Sequence, residues 1–167
     1  MSDPAPKEID REQLRLAGWR QGSVIRRATA SPQLLEALKP TDDQTHWLVI
    51  SQDCDLLQSQ VAKEPWVECL ACTEIATPDG NFQQGKNPRR HDFPISQDEK
   101  LAWLRASIHD RCRFPREKLI GTKPNAECLL SSGACRTITG WVARRYTRSA
   151  FPDEFNRRTD TKATRDK

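Results

Sequence analysis

Hydrophobic residues in this chain recur at two periods, and the change from one to the other predicts where strands give way to helices. Trp47-Leu48-Val49-Ile50 is apolar at every position, too short for a stable helix and rich in β-branched and aromatic side chains. It predicts a central strand covered on both faces. Residues 66–75 predict a second strand, and residues 19–26 a turn glycine, Gly22, followed by a short strand. Helical spacing occurs at Leu34, Leu35 and Leu38, opened by Ser31-Pro32 and closed by Lys39-Pro40. A short helix fits residues 9–16, with Asp10 near its start and Gly18 as its stop. Near the other end, Cys135, Ile138, Trp141 and Val142 define a helix capped by Ser131 or Ser132. Gly140 weakens it by about 1 kcal/mol relative to alanine.

The stretches between these elements predict loops and turns. Residues 56–63 have no period, and residues 77–81 carry the proline, aspartate and glycine of a tight turn. Residues 83–90, tipped by Lys86, Arg89 and Arg90, predict a mobile surface loop. His91-Asp92-Phe93-Pro94-Ile95 predicts a brief edge strand, because proline lacks the N–H that a central position needs. Residues 101–108 fit a helix through Leu101, Leu104 and Ile108 or a strand through Leu101, Trp103 and Arg105. The strand is favoured by the tight turn and single helical turn predicted over 113–119. A further turn is expected at 121–125, and a short helix at 151–155.

Together these elements predict an α+β fold, a small bent antiparallel sheet or SH3-like barrel with helices packed on it. At 167 residues one domain is expected, large enough to bury a core, although 36% hydrophobic content keeps that core modest. Composition predicts a disordered lead-in over 1–8, the domain over 9–158 and a charged, frayed tail over 159–167. No apolar run approaches the roughly 20 residues that cross a bilayer. The first residues carry no signal pattern, so a cytoplasmic protein without a membrane partner is expected.

Six cysteines without an export signal predict free thiols. Cys69-x-x-Cys72, with Cys112, Cys128 and Cys135, offers enough zinc ligands on paper. Yet Cys69 and Cys72 lie in a strand at an odd offset that sends them to opposite faces, which favours buried free cysteine over zinc.

Candidate chemistry gathers just past the central strand, at Ser51-Gln52-Asp53-Cys54-Asp55. If the strand continues, Asp53 and Asp55 share one face and Cys54 takes the other. Paired carboxylates there can hold a divalent metal and orient water for phosphodiester cleavage. Cys54 can instead be a nucleophile beside a histidine, or the aspartates can shape a turn while Cys54 packs into the core. His91-Asp92 and His109-Asp110 each place a carboxylate next to an imidazole, the pattern of an oriented proton-transfer group and also of ordinary surface histidines. Asp53, Asp55, His91 and His109 are therefore the candidate catalytic residues. No Walker loop, dinucleotide glycine motif or Gly-x-Ser-x-Gly elbow occurs, which speaks against common nucleotide hydrolases and α/β-hydrolases.

Net charge is +4, and all of that excess falls in residues 144–167, where eight basic side chains meet four acidic ones. An acidic partner would be drawn there. Residues 141–151 interleave rings with guanidinium groups, so Arg144, Arg145 and Arg148 are expected to contact phosphate and Trp141 and Tyr146 to stack on bases. The alternative is an amphipathic helix with its rings in the core and its arginines solvated or paired with an acidic protein.

Gly22-Ser23-Val24-Ile25 followed by Trp47-Leu48-Val49-Ile50-Ser51 resembles the opening of the PemK/MazF-type toxin barrels, in which a glycine-led strand precedes a hydrophobic strand ending in serine. The resemblance covers about the first third of the chain. It implies an SH3-like barrel, a homodimer and cleavage of single-stranded RNA without a metal. Residues 27–46 are an insertion in that pattern, Asp53-Cys54-Asp55 departs from it, and no catalytic position is matched. The expected function is a nucleic-acid-associated protein that binds or cleaves RNA, in preference to DNA. The alternative is a non-enzymatic accessory subunit or inhibitor whose basic C-terminal end engages an acidic or nucleic-acid-binding partner.

Overall fold

A computed structural model describes residues 8–147, and its organising element is a bent antiparallel sheet. The strands are β1 (Val24–Arg26), β2 (His46–Val49), β3 (Trp66–Ile75), β4 (Arg90–Gln97), β5 (Lys100–Pro115) and β6 (Cys128–Leu129). The helices are α1 (Arg11–Ala17), α2 (Pro32–Leu38), α3 (Asp53–Leu56) and α4 (Ser132–Thr147). The strand order is β1-β2-β3-β5-β4-β6, with every neighbouring pair antiparallel.

β5 supplies the curvature. Leu70 of β3 faces Arg111 while Cys72 faces Ala106, so residues 107–110 have no partner in β3 and the strand bends around that bulge. The sheet then curls until its ends approach. The Asn125 N–H donates to the Val24 carbonyl at 2.9 Å, and Arg26 pairs with Asp98 at 3.0 Å. The result is the expected α+β architecture, a nearly closed barrel-like sheet carrying helices.

Two cores follow from the pleat of the strands. In β2, Trp47 and Val49 turn outward to meet Leu14, Leu34, Leu56 and Phe114 beneath the first three helices. Leu48 turns inward to Leu70, Phe93, Leu104 and Trp141, where α4 plugs the barrel. That double coverage is why residues 47–50 show no alternation. Each fully buried side chain of this size contributes about 1.5–3 kcal/mol. The same parity separates the cysteines, since Cys69 belongs to the outer core and Cys72 to the inner one.

Local signals set the helix ends. Asp10 accepts the N–H groups of Glu12 and Gln13 at 3.0 and 3.1 Å, and Gly18 ends α1 at φ 88°. Ser31 takes the cap position of α2, but its side chain makes no capping bond.

Several boundaries differ from the sequence expectation. Glu8, assigned to the lead-in, is bridged to Gln60. Residues 113–115 extend β5 rather than turning, because they pair with Trp66, Val67 and Glu68, and the helical turn occupies Arg116–Leu119. The strand around Pro94 is longer than expected, and β6 flanks it only at Ser96 and Gln97, so the proline keeps an edge position. The helix at 151–155, Arg148 and the tail at 159–167 lie outside the described residues.

Candidate functional site

The acidic stretch does not continue β2. Residues 53–56 form the short helix α3, and positions two apart on a helix are roughly 200° apart around its axis, so Asp53 and Asp55 do not share a face. Asp53 Oδ1 accepts the Gln21 N–H at 2.6 Å, and the Gln21 side chain donates to the Ile50 carbonyl at 2.9 Å. Cys54 is exposed, not in the core, and its thiol donates to Asp55 Oδ1 at 3.3 Å. That hydrogen bond leads the causes that raise the Cys54 thiol above its ordinary value, the opposite of what a nucleophile needs.

The chain after α3 is folded around Arg116, whose side chain is fully buried. Its Nη1 donates to the carbonyls of Asp55 and Leu56 at 2.9 Å each and to that of Gln58, and its Nη2 to that of Gln60 at 3.3 Å. Burial pushes this guanidinium below its ordinary value, countered by Glu64 and Asp55. Asp53 lines a groove of about 840 Å³ together with Arg20, Lys123, Cys135 and Arg136, whereas Asp55 does not line it. Among the described residues no group of three or more His, Cys, Asp or Glu side chains converges to hold a metal ion.

The two His-Asp pairs have different surroundings. His91 is buried, not a surface histidine, with its ring 6.0 Å from that of Phe93 and 5.4 Å from that of Trp141. Its Nδ1 lies 3.2 Å from the Gly85 N–H and 3.0 Å from the Phe82 carbonyl, so it accepts the first when unprotonated and donates to the second when protonated. Asp92 is also buried and takes both prongs of Arg105 at 2.7 Å, plus the Asp79 N–H at 2.9 Å. Burial raises the Asp92 carboxyl, but these bonds more than offset it and hold the group below its ordinary value. His109 is exposed on the bulge of β5.

His91 and Asp53 are kept apart by α4. Trp141 faces His91, while Thr139 and Ala143, roughly opposite on the helix, line a depression with Asp53 and Cys54. The four candidate catalytic residues are therefore not gathered into one site. The sequence reading also passed over His46, whose Nε2 meets Gln97 Oε1 at 2.9 Å inside the barrel while Nδ1 meets Thr45 Oγ1 at 2.8 Å. Its only signal was a polar residue at the head of an apolar strand.

At the end of α4 the expected basic surface takes a definite form. Ser131 Oγ accepts the Ala134 N–H and starts the helix, and Ile138 and Trp141 anchor it in the barrel mouth. Trp141 is 2% exposed and its Nε1 donates to the Asn87 carbonyl at 2.7 Å, so it is a clamp and not a stacking platform. With the Gly85–His91 contact, it anchors the loop expected to be mobile. That anchored loop and the last turns of α4 enclose a groove of about 710 Å³ whose walls include Arg89, Arg144, Arg145 and Tyr146. Among the described residues no carboxylate lines it. Gly85 has φ 67°, and the Arg144 guanidinium lies where its Cβ would be. Tyr146 is 69% exposed.

No protein-family model, no curated protein and no solved structure matches the chain.

Proposed function

We propose that the protein binds RNA, with Arg89, Arg144 and Arg145 seating phosphates and Tyr146 offering its ring to an unpaired base. The observation that carries this reading is a groove walled by three guanidinium groups and an exposed ring, with no carboxylate in its lining among the described residues. Guanidinium forks match phosphate oxygens in geometry and charge, and an exposed ring stacks on any base. The likeness of the first strands to PemK/MazF-type barrels favours RNA over DNA by analogy alone. Binding is the activity proposed, because the acidic turn spends its polar groups on its own backbone and thiol.

The test is fluorescence anisotropy of a labelled single-stranded RNA over a salt series. Arg144→Ala/Arg145→Ala is expected to weaken binding at least tenfold and to reduce the salt slope by about 1.4, at about 0.7 per phosphate contact on a single strand. An unchanged affinity and slope would remove the groove from consideration. Polyglutamate of equal charge should compete poorly; equal competition would favour an acidic protein partner.

A further inference from the structure

A second aromatic–arginine surface adjoins this groove, on the face of β3 and β5 that carries Leu70 and α4, beyond the end of the inner core. Trp66, at the start of β3, is 41% exposed, and the Arg113 guanidinium lies 4.9 Å from its ring centroid. Two residues along β5, and so on the same face at about 6.8 Å, Arg111 repeats the arrangement. Its guanidinium lies 5.5 Å from the Tyr146 ring centroid and is bonded to the Tyr146 hydroxyl. Glu68, the register partner of Arg113, stands between the two pairs, but its carboxylate accepts Arg111 Nη2 at 3.1 Å and is neutralised there. Tyr146 belongs to both surfaces, which makes the ledge continuous with the basic groove.

We infer that this ledge is a second base-stacking platform, so that the protein takes an unpaired RNA strand running from the groove past Tyr146 to Trp66. The inference rests on the RNA-binding reading of the groove and extends it to residues outside the groove. Two exposed rings offer π-faces to successive bases, and Arg113 offers positive charge to the phosphates between them, Arg111 being engaged by Glu68. Counting the groove, the described residues place five arginines and one carboxylate along the path, an excess of four positive charges that favours a polyanion over a neutral or acidic partner. A duplex keeps its bases stacked on each other and has none to offer the rings.

The experiment uses the full chain, with single-stranded RNAs of about four and about twelve nucleotides and a duplex of the longer length. Trp66→Ala is expected to weaken the longer strand about tenfold, the order of one lost base–ring stack, and to leave the shorter strand, held in the groove, within about twofold. Trp66→Phe, which keeps a ring, should retain most of the affinity. The duplex should bind more weakly than the longer single strand. Far-UV circular dichroism confirms that both variants fold. If Trp66→Ala binds the longer strand as the wild type does while Arg144→Ala/Arg145→Ala loses it, the ledge is idle and the groove reading stands. Equal binding of duplex and single strand would overturn the stacking platform as well. If the wild type binds no RNA at any salt concentration, the groove reading fails and the ledge falls with it.

Discussion

The acidic turn at residues 53–55 and the arginine groove at the end of α4 differ less in how much charge they carry than in what the fold does with it. In the turn, Asp53 is taken by the Gln21 N–H, Asp55 by the Cys54 thiol, and the following carbonyls by Arg116. In the groove, guanidinium groups stand along a cleft that no carboxylate among the described residues lines, and an exposed tyrosine completes it. Charge density alone marked both as chemical in the sequence. Hydrogen-bond accounting sets the turn aside, because a carboxylate or carbonyl already satisfied by its own chain has little left for a ligand.

The comparison breaks most visibly if Arg116 is removed. Arg116→Ala leaves several carbonyls without their donor, and a loss of about 3 kcal/mol is expected in urea denaturation. A loss below about 1 kcal/mol would show that the turn is held by something else.

Acid should have the next largest effect, through histidines that flank neither a metal nor the turn. Burial is the leading cause that lowers His46 and His91 below their ordinary value. The unfolded chain therefore binds these protons first, and stability is full above about pH 6.5 and falls as pH drops below it. Asp92, held low in the fold, adds a loss below about pH 4, as pH falls toward and through its folded-state value. Thermal melts from pH 7.5 to 3.5 read both, and a flat profile between 6.5 and 5 would mean that the two imidazoles gain a proton without cost.

Gly85→Ala should cost about 1 kcal/mol from its left-handed φ and displace the Arg144 guanidinium from its place over the loop. RNA affinity should fall several-fold, measured by anisotropy, while unchanged binding would detach Arg144 from the groove. The smallest change is expected from Asp53→Asn, whose amide oxygen still accepts the Gln21 N–H. Stability should drop by less than about 1 kcal/mol with RNA affinity unaltered. A tenfold change in affinity would return the acidic turn to the chemistry.

Local rules carried much of the fold. Residues 66–75 and a short stretch after Gly22 were legible as strands, and Asp10, Gly18 and Pro32 marked helix ends, because each depends on the residue's own dihedral preference or hydrogen bonds a few positions away. The arginines of α4 were legible for a similar reason, since helical spacing places Arg144 and Arg145 beyond a buried Trp141. Trp141 itself was misjudged, because periodicity cannot tell a ring that stacks on a ligand from one that plugs a barrel.

What the sequence determined by itself was the alternation and punctuation of this chain, including an apolar β2 that had to be covered on both sides. Tertiary structure alone decided the fate of its polar groups. The bulge at residues 107–110 of β5 curls the sheet, and long-range pairing then buries His91 against Trp141, wraps residues 55–60 around Arg116 and brings Arg111 and Tyr146 together. None of those partners is near in sequence, and the free energy of a polar group depends on the partner it finds once water is gone.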